Sequence, residues 1–267
     1  MPKVTVRGVE LHYEERGSGR PVVLLHGVWM SSRFFAKQLD PLGARCRVIA
    51  VDFRGHGRSE KTESGHTVPE YAADLREFLQ ALGLRDAVLV GWSMGAFVIW
   101  DYVKQFGVGE LAGTVVVDEA ASDFAWDGWP YGMITPEMLR DLNAGVQSDR
   151  AALIQHFIPL MFKGEPAPED VAWMAEEMAL PPAGVASSIL LDQTLRDYRD
   201  DLAQVTVPTL VAFGGDEKLL KVAAGEYLVE RMPDARLAVF EESSHCPFLE
   251  EPALFNQTVL EFVESLG

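Results

Sequence analysis

Between the apolar run Ala87-Val88-Leu89-Val90 and the helix-like stretch from Ala96 to Phe106 lies the pentapeptide Gly91-Trp92-Ser93-Met94-Gly95. A serine between two glycines at a strand-to-helix junction constrains this chain more than any other feature. The turn is so tight that its flanking positions must be small, which pushes the serine side chain out above the sheet edge. The hydroxyl then stands exposed before a helix N-terminus, whose unpaired N–H groups and partial positive potential suit a developing oxyanion. Glycine and serine are common, so the pentapeptide is only moderately specific by itself. The strand before it and the helix after it decide the reading.

The rest of the chain supplies a matching frame. Two alternating runs around Val4-Thr5-Val6 and Val9-Glu10-Leu11-His12-Tyr13, separated by Arg7-Gly8, predict an antiparallel hairpin. Continuous apolar runs follow at Pro21 to Leu25, Arg47 to Val51, Ala87 to Val90 and Thr114 to Val117, as expected of strands buried on both faces of a parallel sheet. Helix-like segments lie between them, Ser31 to Leu39, Val68 to Leu82 and Ala96 to Phe106, and the alternation resumes at Thr209. From Glu119 to about Ala203 the pattern breaks into helix-like pieces divided by prolines, which predicts a helical insertion.

Composition narrows the function classes. A net charge of −17 argues against nucleic acid or an anionic membrane as a partner. No apolar leader precedes Val4 and no run reaches the length of a membrane span, so a cytoplasmic location is expected. Two cysteines, Cys46 and Cys246, make a structural disulfide improbable. Neither they nor the six histidines fall at metal-ligand spacing, so no metal and no cofactor is expected.

A serine hydroxyl is a poor nucleophile at neutral pH; acyl transfer needs a histidine to accept its proton and a carboxylate to orient that histidine. After the late strand Thr209 to Phe213 comes Gly214-Gly215-Asp216-Glu217-Lys218, which places Asp216 at a strand's C-terminal end, where ligands bind in open α/β sheets. After the next strand comes Ser243-Ser244-His245-Cys246-Pro247. The predicted triad is therefore Ser93, Asp216 and His245. Glu217 and Asp118, the latter at the end of another strand, are the rivals for the acid. His26 and His56, in glycine turns, are read as structural hydrogen-bonders, and His12, His66 and His156 as local or surface residues.

Taken with His26-Gly27 after the third strand and Asp52-Phe53-Arg54-Gly55-His56-Gly57-Arg58-Ser59 after the fourth, these motifs resemble the α/β-hydrolase superfamily. The nucleophile and His26-Gly27-Val28-Trp29 are similar to the bacterial carboxylesterase and cofactor-free haloperoxidase-like group. The resemblance implies an α/β fold with a mostly parallel eight-stranded sheet, helices on both faces and a helical cap inserted after the sixth strand. Residues 1–118 and 204–267 would form the core domain and 119–203 the cap.

It also implies an oxyanion hole built from the backbone N–H groups of Val28 and Met94. Trp29 stands one place after the position at which the family often has an aromatic residue. The implied activity is hydrolysis of small to medium hydrophobic esters by water through an acyl-enzyme. Lactone hydrolysis, perhydrolysis, carbon–carbon bond hydrolysis and a weakly catalytic ligand receptor are the alternatives on the same scaffold.

The insertion is rich in aromatic and methionine residues, and Trp29, Trp126 and Trp129 are candidates for the pocket wall. Packing of the cap onto the core is the competing explanation for those side chains.

Overall fold

Arg7 and Gly8 take positive φ values of 50° and 79° and so form the tight turn that joins β1 (Lys3–Val6) to β2 (Val9–Gly17) as an antiparallel hairpin. The computed structural model describes residues 2–216 and 218–267. After the hairpin come β3 (Pro21–Leu25), β4 (Arg47–Val51), β5 (Ala87–Trp92), β6 (Leu111–Val117), β7 (Thr209–Gly214) and β8 (Ala235–Phe240). The sheet order is β1-β2-β4-β3-β5-β6-β7-β8, parallel from β4 onward and antiparallel where β2 meets β1 and β4. Val22 to Leu25 and Ala87 to Val90 are fully buried, which is why those strands read as unbroken apolar runs.

The helices are α1 (Ala36–Gly43), α2 (Val68–Ala81), α3 (Met94–Phe106), α4 (Pro136–Ser148), α5 (Arg150–Leu160), α6 (Pro168–Ala179), α7 (Ala183–Thr194), α8 (Val222–Arg231), α9 (Pro247–Glu250) and α10 (Pro252–Ser265). Their starts follow local rules. Thr67, Thr135 and Asp149 cap α2, α4 and α5 through side-chain oxygens that accept N–H bonds from Glu70, Met138 and Ala152. On the core, α1 packs with α10 and α2 with α3. The four helices α4 to α7 pack mainly on each other and are the helical cap between β6 and β7.

The chain crosses from one side of β3 to the other between β4 and β5, so the C-terminal ends of β3 and β5 border a crevice. At the base of this crevice Asp52, just past β4, organises the neighbouring turns. Its carboxylate accepts from Ser32 N (2.6 Å), Arg58 N (2.7 Å) and His12 Nδ1 (3.0 Å). Burial alone would raise its pKa; the His12 bond, the His26 charge and the two amides outweigh burial and hold it at about 2. Ser59 donates to the Asp52 carbonyl at 2.6 Å, so the whole Asp52-to-Ser59 motif closes on itself.

The cap is fastened to this region through Glu177 of α6. Its buried carboxylate accepts from Ser31 Oγ (2.6 Å) and from the guanidinium groups of Arg33 and Arg58 (3.2 Å each). Asp192 of α7 adds a second tie by accepting from Val68 N at 2.8 Å.

Packing is very close where α3 crosses β3: a Cβ at Gly95 would fall 2.2 Å from the carbonyl oxygen of Leu25, whereas one at Gly109 would meet nothing within 4 Å. Gly95→Ala is expected to destabilise the fold by about 2 kcal/mol or more, the cost of forcing extra volume into a packed core. Gly109→Ala is expected to leave the melting temperature unchanged. Equal melting temperatures for the two variants would refute the close-packing account.

Candidate active site

Ser93 connects β5 to α3 with φ 53° and ψ −123°, a left-handed conformation that non-glycine side chains rarely adopt. Gly91 and Gly95 make that turn possible by close approach: a Cβ at Gly91 would sit 2.4 Å from the carbonyl oxygen of Gly95. The serine is only 8% exposed. Gly27 of the turn after β3 lies directly beside it, since a Cβ there would be 3.6 Å from Ser93 Oγ.

That neighbouring turn spans Gly27 to Met30 and is closed by a 3.2 Å bond from Met30 N to Gly27 O, with Trp29 at φ 65°. Val28 N has no acceptor among the described residues. Met94 is the first residue of α3, so its N–H precedes the intrahelical ladder. His26 steadies the turn. Its Nε2 accepts from Phe53 N at 3.1 Å, which leaves the proton on Nδ1 to donate to Gly27 O at 2.8 Å. Complete burial pushes its pKa down to about 4, so it is a neutral strut.

His245 follows β8 and is 4% exposed. Trp92 Nε1 donates to its carbonyl at 2.9 Å, which ties the histidine loop to the strand that carries Ser93. The side chain facing its Nδ1 is Asp118, whose Oδ1 lies at 3.0 Å. The other Asp118 oxygen accepts from Gly214 N at 2.8 Å. Asp118 sits just past β6 with φ 46°, and this turn swings its carboxylate across the end of β7 toward the histidine.

This corrects the placement expected for Asp216. Its carboxylate faces Lys218 at 3.8 Å, while its backbone pairs with Ser243 O and Ser244 Oγ. The preceding Gly-Gly pair has a packing cause: a Cβ at Gly214 would lie 1.9 Å from the carbonyl oxygen of Ser244. The glycines admit the histidine loop and say nothing about the residue after them. The other rival, Glu217, lies outside the described residues.

The tryptophans are held mainly by packing. Trp29 Nε1 donates to Ala186 O of α7 at 3.0 Å. Trp126 and Trp129 donate to Ser122 Oγ and Ser122 O, each at 2.9 Å, and Trp129 packs on Tyr131 and Tyr227. These contacts match the packing explanation for Trp126 and Trp129. For Trp29 they add a direct link between the Gly27–Met30 turn and the cap. Phe157 of α5 stands edge-on to its ring, 6.3 Å between centroids.

The family comparison agrees with this geometry. Residues 22–258 match the model of the alpha/beta hydrolase family. The chain belongs to that family. The hydrolase is similar to a non-heme haloperoxidase of Rhodococcus erythropolis, 32% identical over 99% of this chain and 100% of that one. It is 28% identical to a pimeloyl-[acyl-carrier protein] methyl ester esterase of Vibrio cholerae, over 94% of this chain and 97% of that one. In structure it matches an esterase of Exiguobacterium antarcticum with a TM-score of 0.93 and 30% identity, covering 97% of both chains. It is thus a hydrolase enzyme of esterase-like type.

Sequence reading missed a buried acid pair behind this hydrolase's histidine. Glu119 and Asp123 are both buried and lie close enough to perturb each other's titration. Burial pushes Glu119 well above the usual carboxylate range and Asp123 up to about 6. Ala120 N donates to Glu119 at 2.8 Å and Gln193 Nε2 to Asp123 at 3.1 Å. Two acids in one apolar stretch at the foot of the cap were the available signal.

A group whose folded pKa is raised contributes stability below its unfolded pKa and loses it as pH rises through the folded value. Glu119→Gln keeps an acceptor for Ala120 N and removes the titrating carboxyl. Its denaturation midpoint relative to the parent is therefore expected to be higher at pH 8 than at pH 5. An unchanged difference between the two pH values would show that the fold does not hold Glu119 protonated.

Proposed function

We propose that the protein is a serine carboxylesterase acting on small to medium hydrophobic esters, with residues 1–118 and 204–267 as its core and 119–203 as its cap. The observation that carries the reading is the 3.0 Å contact between His245 Nδ1 and Asp118 Oδ1, in a loop tied by Trp92 to the strained serine turn. A carboxylate bonded to Nδ1 fixes the imidazole tautomer whose Nε2 is free to accept a proton. No metal or cofactor enters the mechanism.

In acylation, His245 removes the Ser93 proton as Oγ attacks the ester carbonyl, and the carbonyl electron pair moves onto oxygen. The Val28 and Met94 amides receive that oxyanion. Collapse of the tetrahedral intermediate breaks the bond to the leaving oxygen, which takes the proton from His245. Asp118 stabilises the imidazolium between the two transfers. In deacylation His245 activates water in the same way, and Ser93 leaves as the protonated hydroxyl.

The acyl preference follows from the cap. The cap buries Ile158, Met161, Met178 and Ile189, while residues 119–203 carry 15 acidic and 5 basic side chains. An apolar interior within an acidic cap favours neutral acyl groups over anionic ones.

Ser93→Ala is expected to lower p-nitrophenyl ester turnover by at least about 10³-fold with an unchanged melting profile. Asp118→Asn should cost about 10⁴-fold through the wrong tautomer, and Asp216→Asn should stay within about tenfold of the parent. The reverse ranking of the two aspartates in kcat/KM would return the role to Asp216. In a matched series, neutral esters are expected to outrun esters with a free carboxylate on the acyl chain. A carboxylate preference that fades with added salt would contradict the apolar interior.

A further inference from the structure

Glu250, at the end of α9, divides its carboxylate between two bodies of the protein. One oxygen accepts from Ser244 N at 2.8 Å, in the peptide just before His245. The other accepts from Lys163 N at 2.7 Å, three residues past the end of cap helix α5. On its other side His245 is held through its carbonyl by Trp92, which belongs to the core. The backbone around the histidine is thus clamped from the core on one side and, through Glu250, from the cap on the other.

Further bonds gather the same segment of the cap onto the catalytic loops. Lys218, after β7, donates from Nζ to the carbonyls of Phe162 (2.5 Å) and Lys163 (2.7 Å). Lys163 Nζ donates to Glu241 O at 2.8 Å and to Glu242 at 3.0 Å. A cavity of about 290 Å³ opens beside this junction, bordered by Phe162, Trp173, Met174, Leu249 and Glu250.

We infer that Glu250 is a positioning residue for His245 and that it makes the alignment of the histidine depend on the seating of the cap. A carboxylate shared by two backbone amides transmits any shift of residue 163 to residue 244, because releasing either N–H leaves a half-buried charge underpaired. The cap therefore does more than enclose the substrate: its docked state holds the imidazole in register. The inference rests on the reading of His245 as the general base.

The test measures kcat, KM, melting temperature and the rate of Ser93 phosphonylation by a fluorophosphonate for the parent, Glu250→Ala, Glu250→Gln and Glu242→Ala. Glu250→Ala, which loses both acceptors, is expected to lower kcat and the labelling rate about tenfold or more, with KM within about twofold, as misplacement of a catalytic group does. Glu250→Gln, which keeps one acceptor and the side-chain volume, should fall between Glu250→Ala and the parent. Glu242→Ala, which removes only the exposed partner of the Lys163 ammonium, should match the parent.

Parent-like kcat and labelling in Glu250→Ala would overturn the inference. So would a loss carried by KM alone, or one equal in both Glu250 variants and matched by their melting temperatures. Failure of the parent itself to label at Ser93 would instead overturn the esterase reading.

Discussion

The approach of α3 to β3 governs the geometry of this molecule. Gly95 lies so near Leu25 O that only a hydrogen fits in place of a side chain, and Gly91 lies nearly as close to Gly95 O. These two contacts let the chain reverse within one residue at Ser93, and the positive φ there is a strain that the surrounding sheet over-determines. With the reversal in place, the serine stands between the ends of β3 and β5. The glycine turn after β3 is then pressed against it. The placement of Ser93 and of the backbone amides beside it is thus a consequence of one packing constraint in the core.

A second set of interactions brings Asp118 and His245 together from strands farther along the sheet. Asp118 leaves β6 in a left-handed turn, bonds Gly214 N at the end of β7 and meets His245 beyond β8, so a single carboxylate links three strand ends. Close packing of Gly214 on the Ser244 carbonyl keeps the histidine loop within reach. The cap is joined to this frame by charged groups with polar partners: Glu177 with Ser31, Arg33 and Arg58, and Glu250 with two amides. Directional contacts of this kind specify a docked orientation, which apolar packing alone defines less sharply.

Much of this was legible in the residues. Apolar runs marked the parallel strands because burial on both faces leaves no alternation to confuse with a helix, and the Gly-x-Ser-x-Gly turn located the serine. The β1–β2 hairpin was legible from alternation and Arg7-Gly8. The aspartate that faces His245 was misplaced for an identifiable reason. Gly214-Gly215 look like the neck of a catalytic loop, but their smallness answers to the Ser244 and Glu241 backbone, a contact between segments some thirty residues apart. Asp118 ended a strand just as clearly. What placed it at the histidine was a backbone angle that no local pattern encodes. Trp126 and Trp129 were ambiguous for a related reason, since an aromatic residue that roofs a cleft and one that fastens a cap loop to Ser122 have the same composition. Glu250 and the Glu119–Asp123 pair were invisible because their meaning lies in partners distant along the chain or in burial.

The central claim is that a strained serine turn, a histidine and Asp118 form one acyl-transfer device, and it is tested most directly by trapping the covalent intermediate. Rapid mixing with excess p-nitrophenyl ester, quenching in acid within the first turnovers and peptide mapping by mass spectrometry would locate the acyl group. The account predicts an acyl adduct on Ser93 that accumulates in the Asp118→Asn variant only as slowly as its turnover allows. An adduct on another residue, or steady ester turnover with none at Ser93, would contradict it.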